Sequence, residues 1–191
     1  MVRKATHPGR YQSTSAGNLF CDALKMQFGL DIVMLGSGSL RAEEIGPIIT
    51  VGDLLNMYPY DETLVRVELT GKDLKEGILH AMKKSVSVEG SDFEYYQFSK
   101  GIRMVYSTGR QELTDARFNG KEIQDQDVFA VGLELFHYNN MDSFLGLDQE
   151  TIEQRKPSRT ITGNIRTAIE EYFREHNALR PVYEKRTITT D

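Results

Sequence analysis

The sequence predicts a mixed α/β (α+β) domain in which about three major helices pack on a largely antiparallel or mixed sheet. Three observations carry that expectation. Apolar residues recur at helical spacing in three stretches, short β-branched runs suit strands, and the two patterns interleave along the chain. The 191 residues suit one domain with a substantial core. Their 39% hydrophobic and 27% charged content is that of a folding globular chain. No internal repeat or low-complexity tract interrupts the pattern.

Taken in order, Leu19, Phe20, Ala23, Leu24 and Phe28 mark one face of a core helix, with Ser15 as its cap and Gly29 as its stop. Asp31-Ile-Val-Met-Leu35 enters the cluster Gly36-Ser-Gly-Ser39 and reads as a buried strand feeding a loop, a good place for a site. Ile48-Ile49-Thr50 reads as a strand fragment. Thr50 caps a short helix over residues 52–57, which Pro59 ends. Val65, Val67 and Leu69 alternate with Arg66 and Glu68, as in a strand with one buried face. Thr70-Gly-Lys-Asp73 opens like a capping box, and Leu74, Ile78 and Met82 stripe a helix to about Lys84. Residues 85–99 read as an irregular loop before a strand over 102–106. Asn119-Gly120 is the strongest hairpin signal, and a strand over 127–133 follows it. Ile161, Ile165, Ala168, Ile169 and Tyr172 predict a helix over residues 160–175, and Thr187-Ile-Thr189 suits a closing edge strand.

The net charge of −5 argues against a broad basic face for a nucleic-acid polymer, yet leaves room for a small anion held by a few arginines. Cys21, alone and in an apolar helical pattern, reads as a packed thiol. His7, His80, His137 and His176 are scattered and fit no metal-binding spacing. There is no nucleophile elbow, and Gly36-Ser-Gly-Ser-Leu-Arg41 lacks the Lys-Ser/Thr ending of a phosphate-cradling loop. No stretch approaches the ~18 apolar residues of a membrane span. Neither a metal centre nor a catalytic cluster is legible, so turnover by this chain alone is not expected.

Several segments resemble a known family. Gly17-Asn-Leu-Phe-Cys-Asp-Ala23, Asp31-Ile-Val-Met-Leu-Gly-Ser-Gly-Ser-Leu-Arg41, Gly46-Pro-Ile-Ile-Thr50, Tyr58-Pro-Tyr60 and Leu64-Val-Arg-Val-Glu-Leu-Thr-Gly71 look, in order and spacing, like the carboxy-terminal domain of 5'-nucleotidases. That group includes UDP-sugar hydrolases and 2',3'-cyclic nucleotide phosphodiesterases. Leu135-Phe-His-Tyr-Asn-Asn-Met-Asp-Ser-Phe144 is similar to the segment where the family places an aromatic residue and, six positions on, an aspartate. The resemblance runs from about Arg10 to Phe173.

The resemblance implies a nucleoside- or nucleotide-binding domain over residues 10–191, with residues 1–9 a linker from a missing N-terminal domain. That separate metallophosphoesterase domain, carrying two divalent metal ions, would cleave the phosphate, and this domain would need no cofactor. The family is mostly exported to the periplasm, cell wall or cell surface. By motif position, Tyr60 and Phe136 would sandwich the base, since stacking is worth about 1–3 kcal/mol per base and tolerates different bases. Taken singly, either ring suits core packing as well. Asp142 would accept hydrogen bonds from the ribose hydroxyls, and Arg41 and Arg10 would face the phosphate. The chain departs from the family in three places. Gly36 stands where many relatives have Asn or Ser. Asn140-Met-Asp-Ser replaces Gly-Gly-Asp-Gly, adding side chains where backbone of positive φ is expected. Asp61 and Glu62 bring negative charge. These departures suit an alternative reading, a binding or scaffold domain that keeps the fold without nucleotide recognition.

Overall fold

The computed structural model describes residues 1, 3–87, 94–176 and 178–191. Strand β1 (Ala5–Thr6) leads to α1 (Ser15–Phe28), β2 (Ile32–Gly36), β3 (Glu44–Ile45) and α2 (Val51–Met57). A strand–helix unit follows, β4 (Leu64–Thr70) and α3 (Gly71–Ser87), and then β5 (Tyr96–Phe98), β6 (Ile102–Ser107), β7 (Glu112–Phe118), β8 (Lys121–Glu122) and β9 (Val128–Glu134). Short helices α4 (Leu135–Asn139), α5 (Met141–Leu145) and α6 (Gln149–Arg155) precede β10 (Arg159–Thr162), α7 (Ile165–Glu175) and β11 (Thr187–Thr190). The fold is the mixed α/β class expected, with α1, α3 and α7 the long helices.

The central sheet has the order β10-β4-β9-β2-β5, with β2 parallel to β9 and the other neighbours antiparallel. A second sheet, β11-β6-β7-β8, closes with β11 parallel to β6. Because side chains alternate across a strand, the central sheet feeds two cores. Ile32 and Met34 of β2, Val65, Val67 and Leu69 of β4, and Val131 and Leu133 of β9 face α3, the second sheet and α4–α6. Val33 and Leu35 of β2 and Leu64 of β4 face α1, α2 and α7. This explains the unbroken apolar run of β2, buried on both faces. Cys21 lies in the second core, fully buried, and burial pushes its thiol well above the usual range.

Local chemistry sets most boundaries. Thr50 and Asp53 make a reciprocal capping box at α2, as expected. Asn119 and Gly120 both take positive φ, 50° and 78°, at the tight turn from β7 to β8. Four expectations need correction. Thr14, not Ser15, caps α1, its side chain accepting from the Gly17 N–H, while Ser15 receives the Thr6 N–H. Residues 48–50 form no strand, and Ile48 is exposed at the entry to α2; the pairing there belongs instead to β3, on β1. Within the expected loop 85–99, Tyr96–Phe98 is a buried strand on β2; residues 88–93 of that loop lie outside the described residues. Lastly, Thr160 belongs to β10, and the third helix begins at Ile165 because Asn164 caps it; Ile161 supplied the misleading apolar match from the edge of the sheet. The stretch before Arg10 carries β1, and His7 is buried.

One close approach yields a stability prediction. A Cβ on Gly71, where β4 passes into α3, would overlap the Gln124 carbonyl oxygen. Gly71→Ala is expected to lose about 2 kcal/mol of stability by forcing the β8–β9 connection away, read as a lowered urea midpoint.

Candidate functional site

Parallel neighbours β2 and β9 end side by side, and ligands of open α/β sheets bind beyond such carboxyl ends. Beyond β2 the chain makes a tight 3₁₀ turn over Ser37–Ser39 and then reaches Arg41. Beyond β9, Glu134 closes the strand and α4 carries Phe136 and His137. Tyr60 and Glu62 precede β4, whose first residue pairs with Glu134, and Glu94 precedes β5, whose Tyr96 pairs with Gly36. Together with Arg10, these elements enclose a cavity of 310 Å³ lined by Arg10, Gly38, Ser39, Arg41, Tyr60, Glu62, Glu94, Glu134, Phe136 and His137.

Four of the residues singled out from sequence, Arg10, Arg41, Tyr60 and Phe136, line this one cavity. Tyr60 and Phe136 are 42% and 54% exposed, so neither ring is committed to core packing. Arg10 approaches the Gly38 backbone so closely that a Cβ there would overlap its guanidinium. Arg41 donates from Nη1 to the Gly38 carbonyl at 3.1 Å. Asp142 lies elsewhere, exposed in the first turn of α5 and outside the lining. Asn140 and Met141 take no positive φ; Met141 starts α5 with its side chain fully buried.

The floor was not foreseen. Glu134 is buried, accepting the Gly36 N–H at 2.7 Å and the Tyr58 hydroxyl at 2.7 Å. Its Oε2 stands 3.0 Å from His137 Nδ1. That approach is within ion-pair distance, although it falls short of strict hydrogen-bond alignment. Burial pushes the Glu134 carboxyl up, but His137, with the Ser39 and Tyr58 hydroxyls, outweighs it and holds the group below its ordinary value. Burial pushes His137 down, but Glu134, Glu94 and Glu62 outweigh it and raise the imidazole above its ordinary value. Glu94 is raised, chiefly by burial, although it accepts the Gly38 N–H at 2.6 Å. The Ser37 N–H meets the Tyr95 carbonyl at 2.7 Å. The Gly36, Ser37 and Gly38 N–H groups of the turn are therefore satisfied within the protein, and Arg10 and Arg41 stand in the cavity wall as guanidinium donors for an anion.

A sequence signal for this floor existed. Glu134 ends an apolar strand that otherwise faces the cores, where a carboxylate needs partners. His137 stands between Phe136 and Tyr138, inside a segment that carries the resemblance but at a position to which the resemblance gives no role.

A larger cavity of 540 Å³ lies by α2 and α7, lined by Pro47, Ile48, Val51 and Phe173 among others. It gathers none of the predicted site residues. Among the described residues, no group of three or more His, Cys, Asp or Glu is placed to hold a metal ion. Among them, too, no helix is long and apolar enough to cross a membrane.

Among known proteins, the chain is 31% identical over 112 residues to Endonuclease YhcR of Bacillus subtilis (strain 168), covering 55% of this chain and 9% of that protein. It is 34% identical over 73 residues to the Trifunctional nucleotide phosphoesterase protein YfkN of the same organism, covering 36% of this chain and 5% of that protein. The matched part is thus less than a tenth of either relative. The fold matches a 5'-nucleotidase precursor from Thermus thermophilus with TM-score 0.76 at 19% identity, over 98% of this chain and 38% of that one. It matches the Haemophilus influenzae NAD nucleotidase with TM-score 0.75 at 15% identity, over 98% and 37%. The family profile described as "5'-nucleotidase, C-terminal domain" matches residues 2–149, most of the chain, and the protein therefore belongs to the 5'-nucleotidase C-terminal domain family.

Proposed function

We propose that this domain binds the nucleoside or nucleotide substrate of a metal-dependent phosphohydrolase whose catalytic metallophosphoesterase domain, with two divalent ions, lies outside this chain. One observation carries the reading: Tyr60 and Phe136, two exposed rings, share a single 310 Å³ cavity with Arg10 and Arg41. Rings that expose their faces to one cavity can hold a base by stacking, which is tolerant of base identity. Two guanidiniums in the same wall offer planar, charge-assisted donors to phosphate oxygens. Asp142, on the exposed first turn of α5 and outside the cavity lining, is kept as the acceptor for the ribose hydroxyls on the resemblance alone. The similarity to a nucleotide phosphoesterase and the fold shared with nucleotidases support the assignment.

A specific observation favours the second reading, a binding or scaffold domain without nucleotide recognition. Glu62, Glu94 and Glu134 line the same cavity as the two arginines and oppose an anion there. Titration calorimetry of this chain with adenosine, AMP, UMP and a UDP-sugar separates the two; the sequence has no tryptophan to report by fluorescence. The expected result is weak binding, on the order of 0.1–1 mM for half of a composite site, weakened about tenfold by Phe136→Ala. Absence of heat with every ligand at concentrations well above that range would establish the second reading.

A further inference from the structure

The charges lining the candidate cavity oppose one another: Arg10 and Arg41 share its wall with three carboxylates, Glu62, Glu94 and Glu134. Glu134 is buried and stands 3.0 Å from His137. Glu62 turns Oε1 to the Thr63 and Phe136 N–H groups, at 3.2 and 3.3 Å. Glu94 instead meets the arginines, at Gly38. Its Oε1 accepts the Gly38 N–H at 2.6 Å, while Arg41 Nη1 donates to the Gly38 carbonyl at 3.1 Å. A Cβ on Gly38 would lie 2.0 Å from Arg10 Nη2 and 3.0 Å from Glu94 Oε2, so a guanidinium nitrogen and a carboxylate oxygen crowd one point. Gly36 leaves room for the same side chain, since a Cβ there would lie 3.0 Å from the Glu94 carboxyl carbon. Two cations and one anion thus converge on a single residue of the glycine–serine turn, and a phosphate held by both guanidiniums sits beside the Glu94 carboxylate.

We propose that Glu94 is a specificity-determining residue of this cavity: its carboxylate, set against Arg10 and Arg41 at Gly38, makes a singly charged phosphodiester the preferred ligand over a doubly charged phosphomonoester. The inference rests on the reading of the cavity as a nucleotide site.

Two guanidiniums by themselves would favour the second charge of a monoester, because each charge strengthens the hydrogen bonds that it accepts. The carboxylates in the same wall turn that advantage around. The second charge meets Glu94 at close range, and a dianion also gives up more hydration than a monoanion on entering the cavity. At an effective dielectric of about 20, unit charges about 5 Å apart change an affinity by at least about tenfold. Discrimination of this kind comes from a repulsive group built into the site and needs no extra contact to the favoured ligand.

The test is calorimetric titration of this chain with adenosine, AMP and the 5'-methyl ester of AMP, which keeps the phosphate in place and removes one of its charges. At about pH 8 carboxylates are ionised and the AMP phosphate carries its second charge. The wild-type chain is expected to bind the ester about threefold more tightly than AMP. Glu94→Gln keeps an acceptor for the Gly38 N–H and should reverse that order, with AMP bound about tenfold more tightly than by the wild type and adenosine unchanged. A wild-type preference for AMP over its ester would overturn the proposal, and that comparison needs no variant to fold. An AMP-to-ester ratio that Glu94→Gln leaves as it was would overturn it too, and adenosine binding beside that unchanged ratio would leave the base-stacking reading standing. Binding of AMP and the ester without adenosine would remove the stacking reading, with the ratio still reporting on Glu94. Failure of all three ligands to bind would remove both.

Discussion

Arg186→Ala is expected to cost about 3 kcal/mol of unfolding free energy, because it breaks a buried ion pair from one side. The guanidinium is 2% exposed and bridges the chain's two ends. Nη1 and Nη2 each reach a different Asp22 oxygen on α1 at 2.8 Å, a bidentate fork, and Nη2 also meets Glu184 at 2.9 Å. Nη1 further donates to the Phe98 carbonyl at 2.6 Å, tying in the end of β5. Removing the side chain leaves a buried carbonyl and a half-buried carboxylate without their donor. Arg186→Lys should recover less than half of the loss, since an ammonium cannot reproduce the fork. Equilibrium urea unfolding of both variants reads this directly, and equal stability of Arg186→Ala and wild type would refute it.

Glu134→Ala should be as damaging or worse, about 3–5 kcal/mol, because it strips the Tyr58 hydroxyl and the Gly36 N–H of their acceptor and leaves His137 without its main countercharge. The pair also shapes the dependence of stability on pH. Glu134 is lowered in the fold from 4.5, so its contribution is present above that value and is lost as pH falls through the folded value. His137 is raised from 6.5, so its contribution is complete below 6.5 and is lost as pH rises through the folded value. The pair therefore stabilises most between 4.5 and 6.5. In Glu134→Gln both slopes should shrink, because Glu94 and Glu62 alone remain to hold the imidazolium. Unfolding free energies of wild type and Glu134→Gln across that range test the sign; identical pH profiles would contradict it.

What could be read from the sequence follows from where the physics is local. Helix stripes, the Thr50 capping box and the Asn119-Gly120 turn are settled within a few residues, and the structure bears them out. The strand at Tyr96–Phe98 was hidden because its stability comes from β2, about sixty positions away, and not from an alternating pattern of its own. Ile161 matched a helix stripe by spacing, yet Asn164 caps the helix after it. In the site, Arg10, Arg41, Tyr60 and Phe136 line one cavity, and Asp142 does not. The Glu134–His137 floor left one sequence signal, a carboxylate closing the apolar run of β9, and a Glu and a His three positions apart are too commonplace on solvated surfaces to add a second.

The closing strand β11 carries a kinetic consequence. Arg186 finds Asp22 at a sequence separation of 164, and Ser13 meets Thr187 at a separation of 174. Contacts that remote in sequence form slowly, since the loop between them must close before they stabilise anything. During synthesis α1 can form as soon as it emerges, but Asn18 and Asp22 on it wait for partners in residues 182–186 to be translated. A ribosome-bound chain that stops short of Arg186 should therefore stay protease-sensitive around α1 and acquire resistance only once the last strand has been released.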